Sequence, residues 1–397
     1  MRPVDRHPST HPPLPPTTED DRISWLRLLR SRRVGPATFY RLLNAHGNIR
    51  DALAALPDLA RAAGAKGYTP CPEEVIAAEF ARADQYGARL ICRGDADYPP
   101  LLAQIPDAPP ALWAIGDASL LSKPSISLVG ARNASSLGLR MTRSLAGELG
   151  EQGHVISSGL ARGIDAAAHK AALDTGTIAV MAGGVDVVYP AENTDLARDV
   201  AKAGLLISEQ PMGLEPRARH FPSRNRIVSG LSRALVVVEA AAKSGSLITA
   251  RAALDQGREV LAVPGHPFDA RASGCNILIR DGAILVRGGA DVLDILADPV
   301  RENLDQPVLP EAEATAPDPH LVPRVPPPTP EPDTRTRADT MQLHQVILER
   351  LGPSPVPEDQ LIRDLGTSAA QVTPLLTDLE VEGKIERHPG GLLSRSG

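Results

Sequence analysis

The sequence predicts an α/β protein built on a Rossmann-like, doubly wound parallel sheet, with an all-α domain before the sheet and a winged-helix domain after it. Two observations carry this prediction. Between residues 124 and 297, seven short apolar runs alternate with amphipathic stretches, which is typical of a parallel sheet covered by helices on both faces. Proline is concentrated on either side of this body, with six prolines in residues 3–16 and eleven in residues 299–332.

These boundaries divide the chain into five segments. A Pro-rich composition cannot pack a core and favours an extended chain, so the first and fourth segments are expected to have no fold of their own. The segments are a disordered tail at 1–20, an N-terminal helical domain with its connector at 21–118, the Rossmann-like domain at 119–298, a Pro-rich linker at 299–339 and the winged-helix domain at 340–397.

Composition excludes several functional classes. Aromatic residues make up only 3% of the chain, which disfavours single-strand binding by many stacked rings. Cys71, Cys92 and Cys275 are too few and too scattered for a disulfide framework or a Cys-based zinc site. No run reaches the ~18 apolar residues of a membrane helix, and the first residues lack the apolar core of a secretory signal. We therefore expect a cytoplasmic protein without membrane contact, whose net charge of −6 leaves room only for a local basic patch.

The segment 22–118 is predicted to be helical, up to a Pro-rich connector at 94–117. An amphipathic helix is followed by a Val-Gly-Pro turn and a second helix that ends at Gly47 as its C-cap. Seven arginines and no acid lie between Asp21 and Asp51. This surplus charge suits contact with phosphates, but a solvated helical face is the simpler interpretation.

Glycines and small polar residues follow four of the predicted strands. The carboxyl ends of parallel strands meet at one edge of the sheet, where small residues admit a phosphate and helix N-termini offer free amides. We therefore predict a phosphate-rich ligand there; the alternative is that these glycines only make tight turns. Neither G-x-G-x-x-G nor G-x-x-x-x-G-K-[ST] is present, so NAD or ATP chemistry is not expected. The segments concerned are Gly130–Ser135, Gly159–Asp165, Val185–Asn193 and Ala242–Ser246.

The segment PMGLEPRARHFPSRNRIVSGLSR is predicted to be a long loop. It holds five arginines and no acid from Pro216 to Val238. Arginine binds phosphates through two nitrogens, Asn225 can read a base edge and Phe221 can stack on a base. The alternative is an Arg-rich helix start that bonds the domain's own carbonyls.

The motifs SLVGARNAS, VISSGLARGIDAAAH, VMAGGVDVVYPAEN, FPSRNRIVSGLS and VVVEAAAKSGSLITA, in this order, resemble the signature of the DNA-processing protein A (DprA/Smf) family over about residues 124–290. The resemblance implies a sterile-alpha-motif or helix–hairpin–helix domain before the sheet. It also implies a homodimer that binds single-stranded DNA and helps load RecA onto incoming strands in natural transformation, displacing or bypassing single-strand-binding protein. No catalytic turnover, cofactor or metal is implied.

The family's phosphate pocket can be carried over motif by motif. Arg132, Arg224 and Lys243 are expected to be the main phosphate partners, and Phe221 is added for a base. The full set is Gly130, Arg132, Ser158, Gly159, Ser223, Arg224, Asn225, Lys243, Ser244, Gly245 and Ser246.

The alternative function is a nucleotide-binding or nucleotide-cleaving enzyme. Hydrolases that resemble this fold use G-G-x-G-T-x-x-E, but Thr249 stands where the glutamate is needed, and threonine cannot replace a carboxylate. Asp165 and His169 share a helix face and can form a catalytic pair. The alternative is an acid at the start of a helix that pairs with a neighbouring histidine. Glu239 is interpreted as structural rather than as a general base.

Residues 341–397 are predicted to form three helices and a hairpin, the winged-helix pattern of DNA-binding domains. From residue 340 onwards, however, five basic residues face eight acidic ones. Reading a DNA groove needs positive charge. A protein-contact or regulatory role is therefore preferred to duplex reading for this domain.

Overall fold

The computed structural model describes residues 15–62 and 67–297, together with short pieces between residues 347 and 395. The chain divides into two compact units, Met1–Leu309 and Pro310–Gly397. Most of the predicted tail and the whole predicted linker lie outside the described residues. In the described ranges, no helix has the length and apolar character needed to cross a membrane.

Four helices open the first unit. The Thr18 side chain accepts from the Asp21 amide at 3.1 Å and caps the first helix, which therefore begins inside the segment predicted as tail. The second helix starts at the predicted Gly-Pro turn and ends at Gly47, whose φ of 75° is the left-handed C-cap geometry that favours glycine. The four helices are α1 (Glu19–Arg30), α2 (Pro36–His46), α3 (Ile49–Ala62) and α4 (Glu73–Tyr86).

Nine strands of this unit form one sheet. They are β1 (Arg89–Cys92), β2 (Ala111–Gly116), β3 (Ser125–Gly130), β4 (Val155–Ser158), β5 (Thr177–Val180), β6 (Leu205–Ser208), β7 (Ala234–Glu239), β8 (Glu259–Ala262) and β9 (Ile284–Leu285). Their order is β1-β2-β6-β5-β4-β3-β7-β8-β9. Strands β3 to β9 pair in parallel and correspond to the seven apolar runs, which confirms the predicted parallel sheet. Because β3 lies between β4 and β7, its carboxyl end is the topological switch point.

Two strands lie where the sequence indicated only helix and connector. β1 pairs with β2, and β2 pairs antiparallel with β6, with Trp113 opposite Ser208. The sheet therefore gains an antiparallel edge, and the interpretation of residues 89–116 as helix and connector was wrong at these two strands. Prolines close to these short strands obscure their sequence pattern. The partner of β2, strand β6, lies far along the chain, so no local pattern indicates the pairing.

Eight further helices surround the sheet. Adjacent strand residues point to opposite faces: Val129 packs in a cluster with Ile227 of α9, whereas Leu128 packs in a separate one with Leu145 of α6. The doubly wound arrangement follows from these two cores. The helices are α5 (Pro100–Gln104), α6 (Ser136–Glu151), α7 (Ile164–Ala171), α8 (Thr194–Ala203), α9 (His220–Gly230), α10 (Gly245–Asp255), α11 (Ser273–Arg280) and α12 (Gly289–Leu296).

The N-terminal helices share a core with the sheet. Trp25 and Trp113 belong to one apolar cluster that joins α1 to β2. Buried Glu79 accepts from Trp113 Nε1 at 2.6 Å and from Arg30 Nη2 at 2.9 Å. A buried carboxylate needs such partners, so this contact ties α1 and α4 firmly to the sheet.

The second unit carries the predicted hairpin. Strands β11 (Ile385–His388) and β12 (Leu392–Arg395) pair antiparallel, and β10 (Val356–Pro357) adds a third strand beside β12. Described helical residues at 347–348, 361–362 and 375–376 fall within the three predicted helices. Their apolar side chains form the core of the unit together with Leu393. Val372 and Leu379 of the third predicted helix are also described as helical, and both belong to the same core.

Candidate nucleic-acid interface

Two adjoining cavities open at the carboxyl ends of β3, β4, β5 and β7, where the switch point predicts a ligand. The large cavity has a volume of about 810 Å³ and lies between the turns after β3 and β7 and helix α9. The small cavity, of about 530 Å³, extends towards the turns after β4 and β5. Arg132, Gly159, Phe221 and Arg224 line both.

Ten of the twelve residues predicted for the site line the large cavity. These are Gly130, Arg132, Gly159, Phe221, Arg224, Asn225, Lys243, Ser244, Gly245 and Ser246. Ser158 and Ser223 do not. The Ser158 hydroxyl is fully buried and donates to the Leu128 carbonyl at 2.6 Å, and the exposed Ser223 donates to the Arg219 carbonyl at 3.4 Å.

The turn after β3 is held by the end of β7. The Glu239 carboxylate accepts from the Ser135 amide at 3.0 Å, just before α6 begins. A Cβ on Gly130 would lie 2.6 Å from Ile164 Cγ1, so only glycine permits this close approach. Glu239 therefore acts on the turn, as the structural interpretation predicted.

The turn after β4 is organised by two buried side chains. Asp165 accepts from the Gly159 and Ala161 amides at 3.2 and 3.3 Å. His169 Nε2 accepts from the Leu160 amide at 3.3 Å, and its Nδ1 lies 2.7 Å from the Thr177 hydroxyl. Asp165 and His169 each bond the turn, which favours the structural over the catalytic interpretation of this pair.

Arg224 lies on the floor of both cavities and is only 5% exposed. Its Nη1 donates to the Val180 carbonyl at 2.9 Å, and its buried Nε has no acceptor among the described residues. Burial lowers the pKa of the guanidinium, while the nearby Asp165 carboxylate raises it. The sequence left two roles open for Arg224, a phosphate partner or a donor to a backbone carbonyl. The structure contains the carbonyl bond, and Arg224 also lines both cavities.

Because Gly159 has no side chain, the Arg224 guanidinium can occupy its buried position. A Cβ at Gly159 would lie 1.5 Å from Arg224 Nη1. Burial also acts on the two neighbouring groups: it raises the pKa of Asp165 and lowers that of His169 to about 3. Burial is therefore the main cause of the shifted pKa values of Arg224, Asp165 and His169, and the charge of Arg224 acts in addition on the other two groups.

Arg132 and Phe221 face each other across the two cavities. The Arg132 guanidinium lies 5.3 Å from the centre of the Phe221 ring, a cation–π contact. The Phe221 ring is 5.7 Å from that of Tyr189, edge to face. The predicted loop is in fact helical from His220 onwards, and this helix fixes the direction of Phe221.

The turn after β7 presents a positive charge at a helix N-terminus. Ser244 caps α10 by accepting from the Ser246 amide at 3.3 Å, and the Ser246 hydroxyl donates to the Gly130 carbonyl at 2.9 Å. This bond joins the turns after β3 and β7. Lys243 is exposed, and neither it nor Arg132 forms an ion pair with another described residue.

The predicted set of site residues omitted Arg162, Tyr189 and Arg271, although the first two belong to strand-end segments for which a phosphate-rich ligand was predicted. Arg271 lines the large cavity, and Arg162 and Tyr189 line the small one. Arg271 belongs to the loop after β8, and the others follow β4 and β5, so all three lie beyond the carboxyl ends of strands. Their place directly after predicted strands could have identified these three residues from the sequence.

Several charged groups proved structural. Of the seven N-terminal arginines, four form ion pairs within the chain, including Arg30 with Glu79. Arg226 pairs with Glu209 and Asp107 rather than lining either cavity. Many of the arginines in the N-terminal helices and in the segment around α9 therefore stabilise the fold through ion pairs.

A family model described as DNA recombination-mediator protein A matches residues 89–297, which is more than half of the chain. The chain belongs to the DNA recombination-mediator protein A family. Two further models match its flanks: the DprA-like N-terminal HHH domain at residues 19–82 and the DprA winged helix domain at residues 326–391.

Curated members of the DNA recombination-mediator protein A family align over long stretches. Protein Smf of Escherichia coli is 36% identical over 330 residues, 82% of this chain and 83% of that protein. DNA processing protein DprA of Bacillus subtilis is 45% identical over 217 residues, 54% of this chain and 73% of that protein.

Solved structures of the family superpose on this chain. DprA of Streptococcus pneumoniae gives a TM-score of 0.59 at 35% identity, covering 68% of this chain and 97% of that one. DprA of Helicobacter pylori gives 0.50 at 29% identity, covering 53% and 96%. The latter structure was described for its single-stranded DNA binding mode.

The enzymatic alternative gains no support from the site. Thr249, where the hydrolases carry a glutamate, is buried. Ser157 belongs to a buried cluster in which its hydroxyl lies 2.6 Å from that of Ser127 and 2.9 Å from that of Ser232. In the described part of the chain, no group of three His, Cys, Asp or Glu side chains is arranged to hold a metal.

Proposed function

We propose that this protein is a cytoplasmic, single-stranded-DNA-binding recombination mediator that acts as a homodimer and helps load RecA onto incoming strands in natural transformation, without catalytic turnover. One observation carries the DNA-binding part. The large cavity combines Arg132 and Lys243, which form no ion pair with any described residue, with the start of α10 at one switch point. The single-stranded DNA binding described for the Helicobacter pylori relative supports the same ligand.

The backbone of the strand lies along the large cavity. Lys243 and Arg132 neutralise phosphates, and backbone amides at the start of α10 donate hydrogen bonds to a phosphate oxygen. The Arg224 guanidinium, which lines both cavities, adds positive charge beneath the strand. Phosphate contacts position a strand without reading its sequence, so we expect little sequence preference.

A base lies against Phe221. Bases in a single strand can turn outward and stack on an aromatic ring, whereas bases in a duplex are held inside the helix. Phe221 lies between the cation Arg132 and the ring of Tyr189 at the junction of both cavities. This arrangement favours single strands over duplex.

Fluorescence anisotropy tests the DNA-binding proposal. Single-stranded and duplex oligonucleotides are titrated with the full chain at several salt concentrations, beside Lys243→Ala and the control Lys202→Ala. Lys202 is an exposed lysine at the far end of α8, so the control removes the same charge outside the cavities. We expect single-strand preference in the wild type and in Lys202→Ala, and about tenfold weaker binding in Lys243→Ala. Equal binding by the two variants contradicts the site.

RecA loading needs its own experiment. RecA is added to DNA coated with single-strand-binding protein, and its DNA-dependent ATPase is followed with and without this protein. We expect the lag before ATP hydrolysis to shorten, and Lys243→Ala to shorten it less. An unchanged lag, with DNA binding intact, contradicts the mediator role but not the DNA site.

A further inference from the structure

An ion pair links the N-terminal helical domain to the wall of the small cavity. Arg82 on α4 donates from Nε to Asp186 Oδ2 at 2.5 Å. The Asp186 side chain is fully buried, whereas Arg82 remains 43% exposed. The other carboxylate oxygen of Asp186 accepts from the Gly213 amide at 2.8 Å. Asp186 therefore joins α4, the loop after β5 and the loop after β6.

Two glycines leave room for this pair. A Cβ at Gly184 would lie 2.6 Å from Asp186 Oδ1. Gly213 has a φ of +77°, and a Cβ there would lie 3.0 Å from Arg82 Nε. A buried carboxylate that loses its cation is strongly destabilised. The backbone near Gly184 and Gly213 thus has the space that this ion pair requires, which an ordinary surface ion pair does not need.

The loop that Asp186 fixes also forms the small cavity. Gly183, Val187 and Tyr189 come from this loop and line it, so Asp186 lies between the residues of the wall. Tyr189 is 52% exposed, and the ring contact recorded for it is with Phe221. The position of the Tyr189 ring against Phe221 therefore depends on the backbone conformation of the loop that Asp186 holds.

We propose that Arg82 is a positioning residue for nucleobase contact: through Asp186 it holds the loop 183–190 so that Tyr189 and Phe221, whose rings meet edge to face, together contact one unstacked base of the strand. This inference rests on the proposed single-stranded DNA binding. Arg82 touches no phosphate in this arrangement. The N-terminal helical domain thereby sets how well the site holds a base, while Arg132 and Lys243 set how well it holds the backbone.

The test separates base contacts from phosphate contacts. The full chain and its Arg82→Ala variant are titrated with an oligothymidylate and with an abasic oligonucleotide of equal length. Loss of a stacked base weakens thymidylate binding by about fivefold or more. Abasic binding and the salt dependence are expected to stay unchanged, because the phosphate-binding cations are intact.

Three further variants control the test. Arg61→Ala removes an exposed arginine of the same domain, paired with Asp58 at 3.0 Å, and is expected to bind like the wild type. Arg82→Lys keeps the charge and is expected to restore most of the thymidylate affinity. Tyr189→Ala is expected to reproduce the Arg82→Ala loss, and the double variant to bind no more weakly than Tyr189→Ala alone.

The outcomes distinguish this inference from the function on which it rests. A wild type that fails to bind single strands overturns the proposed function. A wild type that binds, with Arg82→Ala weakened equally for thymidylate and abasic DNA or not at all, overturns only the positioning role. Should Arg82→Ala fail to fold, full thymidylate affinity in Tyr189→Ala has the same consequence.

Discussion

The rim of the two cavities, Arg132 and Lys243, and their floor, Arg224 with Asp165 and His169, contain similar residue types in opposite surroundings. The rim cations are exposed and form no ion pair with other described residues. The floor groups are buried, and their polar atoms bond backbone groups of the turn after β4 and the Val180 carbonyl. An exposed cation can exchange water and counterions for a phosphate, whereas a buried one first maintains the fold. Changes at the floor should therefore affect stability most, and changes at the rim should affect binding.

The largest effect is expected at the floor. Arg224→Ala removes the positive charge that acts on the buried Asp165 carboxylate and also the bond to the Val180 carbonyl. Leaving a buried charge without compensation costs about 3 kcal/mol. Urea denaturation of the variant measures this free energy of unfolding. Arg132→Ala is the matched control, since an exposed substitution changes stability by about 0.5 kcal/mol or less. Equal stabilities of the two variants would remove the distinction between floor and rim.

The next effect is a dependence of stability on pH. His169 stays neutral in the folded protein down to a pKa of about 3, but in the unfolded chain it takes a proton below about pH 6.5. The unfolded state therefore binds more protons as the pH falls, and stability drops by about 1.4 kcal/mol per pH unit between those two values. His169→Gln is expected to lose this component. Denaturation curves from pH 7 to pH 5 measure it, and parallel curves for both proteins contradict the buried neutral histidine.

Within the rim, the two cations should differ. Arg132→Ala and Lys243→Ala each remove one phosphate contact, so each makes the plot of log K against log salt shallower by about one unit. Arg132 also lies over the Phe221 ring, so only its loss should reduce the preference for thymidylate over abasic DNA. Anisotropy titrations with both ligands check this. Identical effects of the two variants would mean that Arg132 contacts only the phosphate backbone of the DNA and not a base.

The smallest effect is expected at Ser223. The sequence motif placed it in the site, but its side chain is exposed and bonds the Arg219 carbonyl instead of lining either cavity. Ser223→Ala should therefore change DNA affinity less than about twofold and stability by no more than about 0.5 kcal/mol. A tenfold loss of affinity would return Ser223 to the binding site.

Most of the fold was predictable because its signals are local. Unbroken apolar runs and amphipathic spacing identified strands β3 to β9, and the Gly47 C-cap ended α2 as expected. The convergence of the glycine-rich turns also followed from sequence, because parallel strands share one edge. The antiparallel edge β1–β2 was missed, since its pairing with β6 depends on residues distant in the chain.

The sequence by itself therefore determined the parallel sheet, the edge at which the glycine-rich turns meet and the residue types that gather there. Only the tertiary structure decided which of those residues are exposed. Arg224 and Arg226 are neighbours in one motif, yet Arg224 lines the cavities and Arg226 pairs with Glu209. Burial and ion pairing arise from elements that meet only in the folded chain, as Arg82 meets Asp186. A motif therefore specifies residue type and order, and the packing around each side chain determines its role.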